Sequence, residues 1–103
     1  MERARHSWRA RHRRALACGN TVILKGSENC PRTHHLIVEA FHEAGFPAGV
    51  VNYVTTAPVD AGAVVETMVA HPAVRRVNFT GSTRVGKIVA MTCAKYLKPV
   101  VLD

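Results

Sequence analysis

Long apolar runs are missing from this sequence: no stretch approaches the roughly 20 residues that a membrane-spanning helix needs. Cysteine is scarce. Cys18, Cys30 and Cys93 are too few and too irregularly spaced for a disulfide framework or a zinc ligand set, so a reducing compartment, the cytoplasm, is the expected location. Internal repeats are absent, and no low-complexity tract occurs beyond the N-terminus. What is present is ordinary for a globular chain. The hydrophobic share is 48% and the charged share 20%, which argues against a largely disordered polypeptide. A length of 103 residues suits one small domain and not two.

Acidic residues are scarce chiefly at the start. Residues 1–14 carry Arg3, Arg5, Arg9, Arg11, Arg13 and Arg14 against Glu2 alone, whereas the rest of the chain sets eight Lys/Arg against six Asp/Glu. The net charge of +7 is therefore mainly a property of this basic leader. The leader has no apolar stretch for a secretory signal and no apolar face for an amphipathic targeting helix. Three readings stay open: a disordered tail without a role, a transit segment, or a nucleic-acid arm whose arginines meet phosphates while Trp8 stacks on a base.

From residue 15 onward, strand and helix periods alternate. Thr21-Val22-Ile23-Leu24 is a β-branched apolar run after the turn signal Gly19-Asn20, and predicts a buried strand. Pro31 suits a first helical position, with Cys30 before it where serine or threonine would cap better. This helix is expected to reach Ala44, with Leu36, Ile37, Ala40, Phe41 and Ala44 on the core face and Gly45 as its stop. His35, Glu39 and His42 share the opposite face, where they read as solvated rather than as metal ligands. Residues 50–54 predict a second strand, and a second helix is expected from about Asp60 to Ala70, ending before His71-Pro72. Val77-Asn78-Phe79-Thr80 predicts a third strand. Gly81 opens a turn into a third helix with Val85, Ile88, Val89, Cys93 and Tyr96 inward, and Pro99-Val100-Val101-Leu102 begins a fourth strand. The alternation is that of an α/β fold, a parallel sheet with helices on its faces. A strand at the last residues, with no helix after it, predicts a fold cut short.

The stretch Phe79-Thr80-Gly81-Ser82-Thr83-Arg84-Val85-Gly86-Lys87 lies between a strand and a helix. Glycine there lets the backbone turn tightly and approach an anion, and the free amides and dipole of a helix start favour phosphate. Ser82 adds a hydroxyl donor, and Gly86 lets the helix pack closely on the sheet. A P-loop is a poor fit, because Ile88 stands where the Mg²⁺-binding hydroxyl belongs. The Gly-x-Gly-x-x-Gly fingerprint is absent too, since Thr83 replaces its middle glycine.

Three blocks together resemble another nucleotide-binding family. Asn20-Thr21-Val22-Ile23-Leu24-Lys25-Gly26-Ser27-Glu28, then Glu43-Ala44-Gly45-Phe46-Pro47-Ala48-Gly49-Val50-Val51-Asn52, then Phe79-Thr80-Gly81-Ser82-Thr83-Arg84-Val85-Gly86 resemble the NAD(P)-dependent aldehyde dehydrogenase superfamily, in its order and spacing. The segment from His71 to Thr80 looks most like members acting on aromatic aldehydes such as salicylaldehyde, benzaldehyde or vanillin.

The resemblance implies a Rossmann-like sheet, with residues 15–103 forming part of a coenzyme-binding domain behind the 1–14 leader. It implies that Lys25 and Glu28 hold the adenosine ribose, that Gly81 and Ser82 form the diphosphate turn, and that Val85 lies near the adenine. An acidic residue at Glu28 accepts from ribose hydroxyls and repels a 2′-phosphate, which favours NAD over NADP. Gly26 departs from the family's usual proline and is expected to loosen the loop that aims Lys25. Asp103 follows Leu102 at the position of the family's general-base glutamate, one methylene shorter.

Members of this superfamily oxidise an aldehyde through a cysteine thiolate. By the resemblance, that cysteine and the oxyanion-stabilising asparagine belong to sequence this chain lacks. Cys93 falls on an apolar helix face, Cys18 is expected in the packed approach to the first strand, and Cys30 begins a helix. The expectation is a fragment of an aldehyde dehydrogenase, inactive alone, from a family that acts as homo-oligomers. The competing readings are a basic nucleic-acid-binding module using residues 1–14, and a nonfunctional truncated product. No membrane partner and no metal is expected.

Overall fold

The computed structural model describes residues 14–27 and 31–102. The expectations placed on residues 1–13, Glu28, Cys30 and Asp103 lie outside the described residues. The chain divides into two units, Met1–Pro58 and Val59–Asp103.

In the first unit, residues 14–17 are helical and end in a turn at Gly19, whose φ of +83° is one that glycine adopts without strain. Asn20 closes the turn, its Nδ2 donating to Ala15 O at 3.1 Å. Ala15 and Leu16 pack against the core, while Cys18 is exposed, which corrects its expected packed position. Strand β1 (Val22–Lys25) pairs in parallel with β2 (Val51–Val54), in the register Val22↔Val51 to Lys25↔Val54. Helix α1 (Pro31–Glu43) crosses over between them. Side chains alternate across a strand, so Val22 and Leu24 are buried under one covering helix while Ile23 is 45% exposed. The expected fully buried strand is thus half-buried.

Helix α1 shows a second difference. Its buried centre is Val38, with Ile37 and Phe41 beside it, while Leu36, expected inward, is 53% exposed. Residues 36–38 are all apolar, so the sequence offers several adjacent faces, and two strands cover only one of them. The helix stops as glycine at 45 predicts. Gly45 has φ +95°, its N–H donates to His42 O at 3.1 Å, and the Phe46 ring folds back to 5.5 Å from that of Phe41. That is the apolar contact which commonly closes a left-handed helix end.

In the second unit, a 3-10 turn (Pro58–Asp60) leads into α2 (Ala61–Ala70), followed by β3 (Val77–Phe79), α3 (Thr83–Lys95) and β4 (Val100–Leu102). Strands β3 and β4 pair in parallel, Val77↔Val100 to Phe79↔Leu102. Helix α2 ends at His71, extended with ψ 132° ahead of Pro72, because proline bars the residue before it from the α region. The core is Val69, Val89 and Cys93, with Val65, Val77, Phe79, Val85, Tyr96 and Val100 packed against it. Ile88, expected inward with Val89, is instead 54% exposed.

Helix α3 closes on a non-glycine residue. Leu97 sits at φ +54°, Leu97 N–H donates to Ala94 O, and Lys98 N–H reaches back to Cys93 O at 2.8 Å. This is the paired hydrogen-bond pattern of a Schellman end. The Lys98 ammonium then donates to His71 O at 3.0 Å and to Val74 O. It thereby ties the exit of α3 to the segment that precedes β3. Both units are α/β, with short parallel strands and crossover helices, as the alternation predicted.

Candidate functional site

Ligands of parallel α/β folds bind outside the carboxyl ends of the strands, and each unit presents a loop there. After β1, Lys25 is the last ladder residue and lies opposite Val54. Its Nζ donates to Gly26 O at 3.5 Å. Gly26 is buried, and its N–H extends the ladder by donating to Val54 O at 2.9 Å. The loosening expected of glycine at this position is therefore offset by a ladder bond, which a proline nitrogen cannot make. Ser27 N–H donates to His34 Nδ1 at 3.1 Å, tying the loop to α1.

Burial holds the His34 imidazole below its ordinary pKa of 6.5. Only a neutral ring accepts at Nδ1, so the contact to Ser27 needs the unprotonated form. Because the native pKa lies below the unfolded one, the unfolded chain binds more protons between the two values. Stability is full above about pH 6.5 and falls as the pH drops from there through the native pKa. Thermal melts between pH 7.5 and 5 should show this loss, and His34→Gln should flatten the slope. An unchanged slope in that variant would show that His34 does not carry it.

After β3, Ser82 is the N-cap of α3, extended at ψ 152°, and its Oγ accepts from Val85 N–H at 3.3 Å. Gly86 N–H donates to Ser82 O at 2.8 Å. The amides of Thr83 and Arg84 have no intrahelical acceptor, as at any helix start. No acidic residue stands in this first turn, and Arg84 adds a guanidinium to it. The whole turn from Gly81 to Arg84 is exposed. Such an arrangement suits an anion. Gly81 is required for a reason other than a left-handed φ: a Cβ there would lie 2.6 Å from Phe79 Cζ. Gly86 is buried under the same ring, where a Cβ would make an ordinary contact at 3.6 Å. Val85 is half-buried and packs on the Val69–Val89–Cys93 cluster.

Lys25 thus belongs to the first unit, and Gly81, Ser82 and Val85 to the second. Glu28 and Asp103 are outside the described residues. His34, Tyr53 and Arg84 are site neighbours that the sequence reading did not single out. The usable signal for Tyr53 was its position in the second strand, opposite Leu24 and two residues short of Gly26 in register.

Other chemistry-bearing groups lie elsewhere. Cys93 is fully buried, and burial pushes its thiol pKa up, away from nucleophilic use. His35 and His42 are exposed yet not wholly solvated. His42 Nε2–H donates to Val51 O at 2.8 Å, and the His35 ring lies 5.6 Å from that of Tyr53. Among the described residues, no three His, Cys, Asp or Glu side chains are grouped to hold a metal. Glu66 Oε1 accepts from Lys95 Nζ at 3.0 Å and from Tyr96 OH at 3.2 Å, beside an open depression lined by Ala63, Thr67, Ala70 and His71. The Lys95 hydrogen bond and charge hold the Glu66 carboxyl below its ordinary pKa. As an exposed pair it adds little to stability. No helix among the described residues is long and apolar enough to cross a membrane.

Comparison with known proteins gives these loops a context. The chain is 60% identical over 88 residues to vanillin dehydrogenase from Pseudomonas sp. (strain HR199 / DSM 7063), which covers 85% of this chain and 18% of that protein. Among solved structures, it is similar to a salicylaldehyde dehydrogenase from Pseudomonas putida G7 complexed with salicylaldehyde. The TM-score is 0.82 at 47% identity, covering 85% of this chain and 19% of that one. An E. coli NADP dependent enzyme matches with a TM-score of 0.78 at 42% identity, covering 86% of this chain and 18% of that one. A betaine aldehyde dehydrogenase from Staphylococcus aureus in complex with NAD+ matches at 0.75 and 32% identity, covering 86% and 17%. The chain thus spans about 18% of the length of the curated relative it matches. Residues 8–103 match the aldehyde dehydrogenase family as a whole, taking in both strand-end loops, and with that match the chain belongs to the aldehyde dehydrogenase family.

Proposed function

We propose that this chain contributes coenzyme-binding residues to the NAD-dependent oxidation of an aromatic aldehyde to its acid. The observation that carries the reading is the exposed turn at Gly81–Ser82, where helix-start amides and a capping hydroxyl stand together, with Arg84 in the same first turn and no carboxylate in it. Those groups fit a dinucleotide diphosphate. The Thr83 and Arg84 amides donate to phosphate oxygens, and the Ser82 hydroxyl, already accepting from Val85 N–H, keeps its proton to donate. Val85 gives the adenine an apolar contact. Lys25 and Glu28 bind the ribose hydroxyls, and the Glu28 carboxylate repels a 2′-phosphate, so NAD is preferred to NADP. When bound, the nicotinamide supplies the hydride acceptor. Asp103 stands at the general-base position, where a carboxylate takes a proton from the attacking water. The aromatic substrate class is supported by the 60% identity to a vanillin dehydrogenase.

The family's thiolate chemistry needs a reactive cysteine at the ligand-binding ends of the strands. Cys93 is buried with a raised pKa, Cys18 lies in the turn ahead of the amino end of β1, and Cys30 is expected at a helix start. The 103-residue polypeptide should therefore form no NADH from NAD and vanillin or salicylaldehyde. Calorimetric titration tests the binding reading directly. NAD should bind more tightly than NADP, and Lys25→Ala and Ser82→Ala should each weaken NAD about threefold to tenfold, the loss of one hydrogen bond to a charged or polar partner. Parent-like affinity in both variants would refute the assignment.

A further inference from the structure

Tyr53 reaches across the β1–β2 pair to Gly26. The register sets Tyr53 opposite Leu24, so Gly26, two residues on, is its diagonal neighbour on the same face. A Cβ on Gly26 would lie 2.5 Å from Tyr53 Oη, 2.8 Å from Cε2 and 2.9 Å from Cζ, closer than real side chains come. The phenol therefore fills the space where any other residue at 26 would have its own side chain. Two further contacts grip the same glycine, its N–H donating to Val54 O and its carbonyl accepting from the Lys25 ammonium. From the helix side, the His35 ring meets Tyr53 at an interplanar angle of 57°. Glycine without such a roof would sample more backbone states than any other residue. Rotation about its ψ would swing the carbonyl that Lys25 holds and the Ser27 amide bonded to His34.

We propose that Tyr53 is a positioning residue: its ring substitutes for the missing Gly26 side chain, fixes the Gly26 backbone and so aims the Lys25 ammonium. Its effect on coenzyme rests on the reading of Lys25 as a ribose partner. The deciding experiment uses the coenzyme-free chain, with carbon relaxation of the Lys25 methylenes read by NMR. Tyr53→Val should lower their order, and Tyr53→Phe, which keeps the ring, should retain parent values. Gly26→Ala added to Tyr53→Val puts a side chain where the ring was and should restore part of the lost order. Unchanged Lys25 order in Tyr53→Val would overturn the proposal. In NAD titrations, Tyr53→Val should weaken binding about threefold to tenfold, but less than about twofold when Lys25 is already alanine, since coupled residues are non-additive. Equal losses in both backgrounds would also overturn it. If Lys25→Ala alone leaves NAD affinity unchanged, the ribose assignment fails, and the relaxation result by itself decides the positioning role.

Discussion

Val89→Asp should unfold the second unit, while Ile88→Asp, one residue away, should leave it folded. Val89 is 5% exposed in the cluster with Val69 and Cys93, whereas Ile88 is 54% exposed. A carboxylate at position 89 would lose its hydration with only the weak thiol donor of Cys93 in that cluster to replace it, at a cost of about 4 kcal/mol or more. A unit of this size holds only about 2–7 kcal/mol in total, so the substitution removes most or all of it. An exposed substitution of the same kind costs within about 0.5 kcal/mol. Dispersion of the amide NMR spectrum checks both variants in one experiment. Folded Val89→Asp beside unfolded Ile88→Asp would mean that α3 presents the other face.

The second large effect is expected at the Gly81–Ser82 turn, the proposed diphosphate site. Gly81→Ala places a carbon 2.6 Å from Phe79 Cζ. The ring has little room to retreat, being packed against the Val69–Val89–Cys93 cluster and lying over Gly86. The strain then falls on the turn, which carries the amides of Thr83 and Arg84. NAD affinity should drop at least about tenfold, equivalent to about 1.4 kcal/mol. Shortening the ring with Phe79→Leu in the same chain should recover part of that loss. Gly81→Ala with parent affinity would sink both the steric argument and the anion role of this turn.

Much of the fold was legible because chain-local rules set it. Pro31 opens α1, Gly45 ends it at φ +95°, Pro72 ends α2 and Ser82 caps α3. Strand and helix bounds accordingly fall within about two residues of the expected ones. The helix faces were less legible where apolar residues are consecutive. Leu36-Ile37-Val38 and Ile88-Val89 each offer more than one stripe, and only the strands behind a helix decide which is covered.

The site divides the same way. Ser82 was legible as a hydroxyl at a helix start after a glycine, though its capping bond to Val85 N–H came from the structure. The reason for Gly81 did not, because it lies in a ring two residues back on the same side of the chain. Tyr53 over Gly26 was harder still, since residues 27 apart meet only through strand register. His34 drew no reading from the sequence, because the Ser27 amide that it accepts from lies in the loop before its helix and meets it only once the strand and helix are packed.

The Lys98 side chain reinforces the second strand pair from outside the ladder. Three-residue strands have only a short alternation, Val77 and Phe79 toward the core with Asn78 exposed between them, to resist a one-step slip. By grasping the carbonyls of His71 and Val74, the ammonium brings the starts of both strands to a common origin, and Val77 N–H then donates to Pro99 O at 3.0 Å. The ladder is thus held at its entrance as well as by its own pairs. Side chains at 77–79 and 100–102 thus share with a clamp at the entrance the task of keeping the ladder in step, while Phe79 also reaches the turn at 81.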